Sequence, residues 1–336
     1  MNKYLVIGLG SMGKRRVRCL LTLGVTSDCI LGMDLREDRC NEAQRKYGIQ
    51  IITGEENVDF SEVRAVIVSL PPDKHHVGAD IAFRHQKPVF IEASVVLEDV
   101  MRIKDSNKDN VLVAPSCTMV YHPMIRQIKD IVDSQQYGKV CNFSYHSGQY
   151  LPDWHPWENV NEFYVSNRIT GGAREIVPFE LTWLVYVFGY PKTVKGYYRK
   201  TRDVGCDIED SYVCAIDYGE ILGSLLVDVV GRNAARNLII NFEEAQLQWR
   251  WDKKKIEIYE AKTGEWKVIH QEEGEHEEGY NENIGENMYV DELGAFLEKI
   301  EQGSGFENTI EKDIAVLKLL TQLEESDEVQ SMELNK

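Results

Sequence analysis

The sequence predicts a two-part α/β chain, with a doubly wound parallel sheet first and a domain of antiparallel strands after it. Three observations carry this. Up to about residue 117, short apolar runs alternate with helical patterns, as a parallel sheet covered by helices requires. The first run closes on Gly8-Leu9-Gly10-Ser11-Met12-Gly13, a G-x-G-x-x-G placed between a strand and a helix. From Lys192 to Ile269, strand patterns follow one another without helices between them, which is the grammar of an antiparallel sheet. At 336 residues there is length for two cores. The expected division places 1–118 in the first domain and 119–336 in the second.

Each element follows from local pattern. Tyr4 to Ile7 is apolar and too short for a helix, so it reads as a strand; Lys14 to Leu21 has apolar residues at helical spacing. Between them the glycines permit a tight turn and close backbone approach to a pyrophosphate, whose charge rests on the helix N-terminus. This is the dinucleotide-binding Rossmann arrangement. A second apolar run, Cys29 to Met33, ends in Asp34, near the spacing of about 20 residues expected for the acid that binds the ribose hydroxyls. A carboxylate there repels a 2′-phosphate and favours NAD; Arg36, two residues on, leaves NADP open. Ile49–Ile52, Ala65–Leu70, Val89–Ile91 and Val111–Ala114 complete the strands. Ligands in such sheets bind beyond the carboxyl ends of the strands. The expected cofactor residues are therefore Gly8, Leu9, Gly10, Ser11, Met12, Gly13, Asp34, Leu35, Arg36, Ser69, Leu70, Pro71, His75 and Glu92.

Beyond residue 118, Pro123–Ser134 is helical and Val140–Gly148 alternates as a strand. A loop rich in aromatics and prolines follows, from Tyr150 to Glu158. After Gly171-Gly172 a long helix runs to about Phe188. Expected strands are Ser211–Asp217, Ile221–Val230, Asn237–Phe242, Gln246–Trp251 and Ile256–Tyr259. Gln271 to Asn287 is acidic and reads as a solvated loop, and two helices, Tyr289–Gln302 and Thr309–Glu324, close the chain before a polar, frayed tail.

Thirty-eight basic against 55 acidic residues give a net charge of −17, which argues against nucleic acid or an anionic membrane as partner. No apolar run approaches the ~20 residues of a membrane span. The apolar run close behind Met1 leaves no room for a signal peptide, and the seven scattered cysteines, without a C-x-x-C, suit a reducing cytoplasm. Neither cysteines nor histidines fall at metal-ligand spacing, so no metal is expected.

Several of these segments resemble the Gfo/Idh/MocA oxidoreductases, the glucose-fructose oxidoreductase and inositol dehydrogenase type. Gly8 to Arg16 is similar to that family's nucleotide turn, and Pro71 and His75 match its T-P-x-x-x-H loop. Cys117 to Pro123 and, most specifically, Gly148 to Glu158 resemble a subgroup acting on sugars for surface glycans. The resemblance implies a Rossmann domain, a C-terminal α/β domain with a large, mostly antiparallel sheet, dimers or tetramers built through that sheet, NAD(H) as cofactor and a sugar substrate, phosphorylated or nucleotide-linked sugars included.

The chain departs from the family at its proton-handling positions. The family's E-K-P becomes Glu92-Ala93-Ser94, so the lysine is an alanine. Its Gly-Gly-Gly stretch, aspartate and histidine align with Thr170-Gly171-Gly172, Ile176 and Phe179. Oxidation of a carbinol needs a base for the hydroxyl proton, and alanine, isoleucine and phenylalanine cannot serve. Candidates for the task are Glu175, His155, Tyr150, Arg174 and Glu180, with His122, Tyr164 and Arg168 as further neighbours. Each has a structural alternative: an ion pair for Glu180, helix capping for Arg174 and Glu175, loop packing for His155 and Tyr150, and a loop anchor for His75. Three readings stand open: an oxidoreductase with relocated acid/base groups, a catalytically silent NAD-binding subunit that supports a partner enzyme, and NAD-assisted elimination or glycoside cleavage without net redox change.

Overall fold

The computed structural model describes residues 2–154, 159–271 and 285–334, with side chains described as far as Asp327. The chain divides into two compact units. The first holds residues 1–121 and 286–314, the second 122–285 and 315–336. The sequence placed a single cut at 118/119. The structure instead returns 286–314 to the first unit, because the helix Asn287–Gln302 buries its apolar stripe (Tyr289, Leu293, Phe296) there, with Phe296 against Phe90.

The first unit runs β1 (Lys3–Ile7), α1 (Ser11–Thr22), β2 (Ile30–Met33), α2 (Glu37–Tyr47), β3 (Gln50–Ile51), β4 (Val63–Val68), α3 (His75–Arg84), β5 (Val89–Ile91), α4 (Leu97–Ser106) and β6 (Val113–Pro115). Its strands lie in the order β3-β2-β1-β4-β5-β6, and every pair is parallel. This is the doubly wound Rossmann order, with the chain reversing direction across the sheet between β1 and β4. Leu5, Val6, Val66 and Ile67 are shut off from solvent, which is why these strands read as unbroken apolar runs.

The second unit contains α5 (Pro123–Ser134), β7 (Val140–Tyr150), α6 (Ala173–Phe188) and strands β8 (Thr193–Arg199), β9 (Ser211–Asp217), β10 (Leu222–Asp228), β11 (Val230–Phe242), β12 (Ala245–Arg250), β13 (Lys255–Glu260) and β14 (Glu265–His270). They form one sheet ordered β14-β13-β12-β11-β7-β10-β9-β8. Each pair is antiparallel except β7 with β10, which run parallel. Along β7 the inward residues Phe143, Tyr145 and Ser147 alternate with more exposed ones, so one face of the sheet is packed.

The helices Asn287–Gln302 (α7) and Ile310–Leu334 (α8) close the chain. The sequence predicted an end near Glu324 and a frayed tail, but α8 continues to Leu334. No proline or glycine interrupts it, and Asp327 is held by the guanidinium of Arg199 on β8. Among the described residues no helix is long and apolar enough to cross a membrane. The expected acidic loop at 271–287 falls largely outside the described residues.

Candidate functional site

In the first unit the turn between β1 and α1 requires its glycines. Gly8 has φ +91°, and a Cβ there would stand 2.5 Å from the carbonyl oxygen of Ser69. A Cβ on Gly13 would stand 1.8 Å from the carbonyl oxygen of Gly8. The turn is thus pressed against the end of β4. Gly10 differs: its nearest neighbour would be Nη1 of Arg39 at 3.4 Å, and no side chain caps α1 at that position. The start of α1, with Ser11 and Met12 in its first turn, therefore keeps an uncluttered approach where aligned peptide dipoles favour an anion.

Asp34, just after β2, ties this turn together. Its Oδ2 accepts from the amide of Leu9 at 2.6 Å and its Oδ1 from the amide of Arg36 at 2.8 Å. Leu35 beside it is fully exposed. The Arg36 guanidinium, which the sequence offered as a partial offset to repulsion of a 2′-phosphate, is paired with Asp38 at 2.6 Å on the exposed surface. A different arginine does stand close: Nη1 of Arg39 lies 3.9 Å from Oδ2 of Asp34 and near Gly10. Arg39 escaped the sequence reading, although its position one helical turn after Arg36 puts it within reach of the acid.

Past β4, the Pro71–Lys74 turn is closed by the Lys74 amide on the Pro71 carbonyl at 2.8 Å. His75 is wholly buried and donates from Nε2 to the carbonyl of Leu70 at 3.0 Å. Burial holds its pKa below the usual value, and Nδ1 has no partner among the described residues. His75 is a neutral anchor for the 70–75 loop.

Glu92, at the end of β5, is committed to a buried cluster. Arg16 donates to Oε1 at 2.7 Å and to Oε2 at 2.9 Å, and Ser69 Oγ donates to Oε1 at 3.1 Å. The same guanidinium pairs with Glu292 of α7 at 2.8 Å and stacks over Phe90 at 4.4 Å. Glu292 also accepts from Ser116 Oγ, the amide of Cys117 and Thr118 Oγ1. Burial opposes the charge on Arg16, but Glu92 and Glu292 outweigh it and raise its pKa. In the same unit Asp313 of α8 is buried, with Oδ2 unpartnered among the described residues, and burial pushes its carboxyl up to about 7.

In the second unit, α6 carries three of the sequence candidates. Glu180 is wholly buried and accepts four donors: Tyr145 Oη at 2.8 Å, Ser147 Oγ at 2.8 Å, Trp183 Nε1 at 2.7 Å and Arg236 Nε at 2.9 Å. Both its oxygens are taken up by these donors, which is the arrangement of the structural ion pair that the sequence offered as the alternative to catalysis. Arg174 is likewise committed, donating from Nε and Nη2 to Glu324 at 2.7 and 3.2 Å. Glu175 is different. Tyr164 donates to its Oε1 at 2.7 Å, while Oε2 is buried without a partner among the described residues. Burial pushes this carboxyl up to about 7, against the opposing pull of the Tyr164 hydroxyl.

Ile176 and Phe179 are half-buried on the same helix, and the Phe179 ring faces Arg236 at 5.9 Å. His122 caps α5 by accepting from the amide of Met124 at 3.2 Å, and burial lowers its pKa to about 4. Arg168 pairs with Glu209 at 2.7 Å. Tyr150 lies at the end of β7 with Arg232 at 3.9 Å and Arg202 at 5.6 Å from its ring centre. His155 lies outside the described residues. Among the described residues no group of three His, Cys, Asp or Glu could hold a metal.

Residues 125–255, all within the second unit, match the GFO/IDH/MocA C-terminal domain. This supports the Gfo/Idh/MocA family. Inositol 2-dehydrogenase of Burkholderia cenocepacia (strain HI2424) is 25% identical over 221 residues, covering 63% of this chain and 62% of that protein. The chain thus matches about three fifths of the length of this curated relative. Among solved structures, an oxidoreductase from Agrobacterium radiobacter in complex with NAD+, L-tartaric acid and magnesium superposes with a TM-score of 0.82 at 11% identity, covering 97% of this chain and 96% of that one. Levoglucosan dehydrogenase in complex with NADH and levoglucosan gives 0.80 at 15% identity, covering 97% of each chain. At such identities the likeness establishes the fold: a parallel Rossmann-like sheet and a second, mostly antiparallel sheet.

Proposed function

We propose that this chain is an NAD(H)-dependent oxidoreductase acting on a sugar or sugar derivative, with Glu175 handling the proton. Similarity to Gfo/Idh/MocA proteins, named as inositol and levoglucosan dehydrogenases, supports the reaction class. The cofactor residues fit: Gly10 leaves room for a pyrophosphate at the start of α1, Asp34 offers a carboxylate to ribose hydroxyls, and exposed Leu35 offers an apolar wall to adenine. Bound NAD supplies the hydride acceptor. The chain's own residues do the rest: Ser69 to His75 and Glu92, braced as described, shape the far end of the cofactor site.

The observation that carries the proton assignment is the unpartnered, buried Oε2 of Glu175 beside a hydroxyl-fixed Oε1. Glu175 would take the hydroxyl proton of the substrate carbinol while its C–H hydrogen leaves with the bonding pair as hydride, for which bound NAD would be the acceptor, leaving a carbonyl. Titration near neutral pH suits either direction of transfer. Tyr150 is a second polar group for the substrate. We also propose self-association through the second sheet, where Val213, Leu222 and Ile239 are exposed apolar residues; light scattering that gives a monomer mass overturns this part.

The test is absorbance at the nicotinamide band with sugars, sugar phosphates and nucleotide sugars in both directions. A hydride transfer is expected with one of these classes. No change with any of them, despite NADH binding, favours a second reading, in which the chain binds NAD but supports a partner enzyme. Ala93, Ile176 and Phe179, which cannot carry protons, motivate that reading. Sugar products formed without accumulation of NADH, seen by mass spectrometry, would instead indicate elimination or glycoside cleavage.

A further inference from the structure

We infer that Arg202 and Arg232, both held against Tyr150, form a subsite for a phosphate group, so that the sugar proposed above carries one; this rests on the sugar-oxidoreductase reading. The two guanidinium carbons lie 5.6 and 3.9 Å from one tyrosine ring, and both arginines are exposed. Neither guanidinium has an acid partner among the described residues. In a chain with 55 acidic and 38 basic residues, two arginines converging on one ring without a carboxylate call for an anion.

Of the acids close in sequence, Asp203 accepts from the amide of Gly205 at 3.0 Å, Asp207 pairs with Lys200 and Glu209 with Arg168, while Asp210 and Asp228 are spent on the backbone that presents the arginines. Asp210 is wholly buried and accepts from the amides of Thr201 and Arg202 at 2.7 and 2.6 Å. Asp228 accepts from the amides of Val230 and Gly231 at 3.1 and 2.7 Å, just before Arg232, and its other oxygen is paired with His146. The carboxylates thus fix where the arginines start and leave their charges available. A ring face orients guanidinium planes without neutralising them. Two planar forks present several N–H donors, which suits the three oxygens and the charge of about −1.5 to −2 of a phosphate monoester better than a single carboxylate.

The experiment is calorimetric titration of the full chain, saturated with NADH so that the glycine turn is filled, with inorganic phosphate. The wild type is compared with the double variant Arg202→Gln/Arg232→Gln. Phosphate binding that weakens roughly tenfold or more in the variant, with unchanged NADH affinity and unchanged melting temperature, is the expected result. Equal phosphate affinity in the two forms, or none in the wild type, overturns the subsite. Malonate binding as tightly as phosphate, and equally sensitive to the variant, overturns the phosphate assignment in favour of a carboxylate. If the wild type fails to bind NADH, the cofactor reading falls; the same comparison without NADH still decides the subsite, because only the component lost in the variant counts.

Discussion

Arg16 of α1 donates to both carboxylate oxygens of Glu92 while the same guanidinium pairs with Glu292 of α7. One buried cation therefore serves two buried acids, and the two sides of the pairing are not equivalent. Replacing Arg16 by Met strands two carboxylates away from water. Replacing Glu92 by Gln leaves Arg16 its partner in Glu292. Removing one member of a buried pair costs about 3–5 kcal/mol when the remaining charge is uncompensated. Arg16→Met is expected to reach that range and Glu92→Gln to fall well below it, by denaturant unfolding at neutral pH. Equal losses would show that Glu292 does not hold Arg16 on its own.

On the proposed role of Glu175 as the proton-handling group, Glu175 and Tyr164 set a pH dependence. With a carboxyl near 7, the ionised base needed for oxidation appears as pH rises through 7, so the oxidation rate climbs to a plateau above it, and the reverse reaction falls over the same window. Glu175→Gln is expected to lower kcat roughly 10²–10⁴-fold and to abolish that limb, with NADH affinity unchanged. Tyr164→Phe removes the hydrogen bond that favours the charged form, so the limb should move to higher pH. A Glu175→Gln enzyme with wild-type kcat and pH profile would remove Glu175 from the reaction.

Asp34 braces the turn through Leu9, and in the cofactor site proposed above it also presents its charge to the ribose and sets cofactor choice. Asp34→Asn keeps an oxygen for the Leu9 amide and removes the repulsion toward a 2′-phosphate. Charged hydrogen bonds are worth about 1.5–3 kcal/mol, so NAD should lose roughly tenfold or more while NADP gains with Arg39 nearby. Fluorescence titration with NADH and NADPH measures the ratio, and an unchanged ratio rules out Asp34 as the discriminator.

The first sheet was legible because its evidence is local: a glycine turn, apolar runs and the acid after β2 sit within one stretch of chain. The sites were less so, because their partners are far apart in sequence. Arg16, Glu180 and Glu292 were nevertheless detectable in kind. Each lies in an apolar helical stripe, Gly13-Arg16-Val17-Leu20, Val177-Glu180-Leu181-Leu184 and Tyr289-Glu292-Leu293-Phe296, where a charge must have a buried partner. What the pattern does not say is which partner. Glu175 and Glu180 look alike on the helix, and only the four donors around Glu180, gathered from β7, α6 and β11, separate a structural acid from one with a vacant oxygen. The parallel pairing of β7 with β10 was hidden for a similar reason, since alternation along a strand reports its faces and not its neighbours.

Asp313 makes stability itself depend on pH. Its carboxyl titrates near 7 in the folded chain and near its ordinary 3.8 when unfolded, because burial disfavours the charge. Well below the unfolded value both states hold the proton and the group is neutral to stability. As pH rises from about 4 to 7 the unfolded chain ionises first, so the folded state loses ground, and above 7 the loss is constant. At about 1.4 kcal/mol per pH unit, the full effect is at most about 4 kcal/mol. Asp313→Asn has nearly the shape of the protonated acid and does not titrate. It should therefore match the wild type in denaturant midpoint at pH 4 and exceed it at pH 8. A difference that is the same at both pH values would show that Asp313 does not titrate across this window.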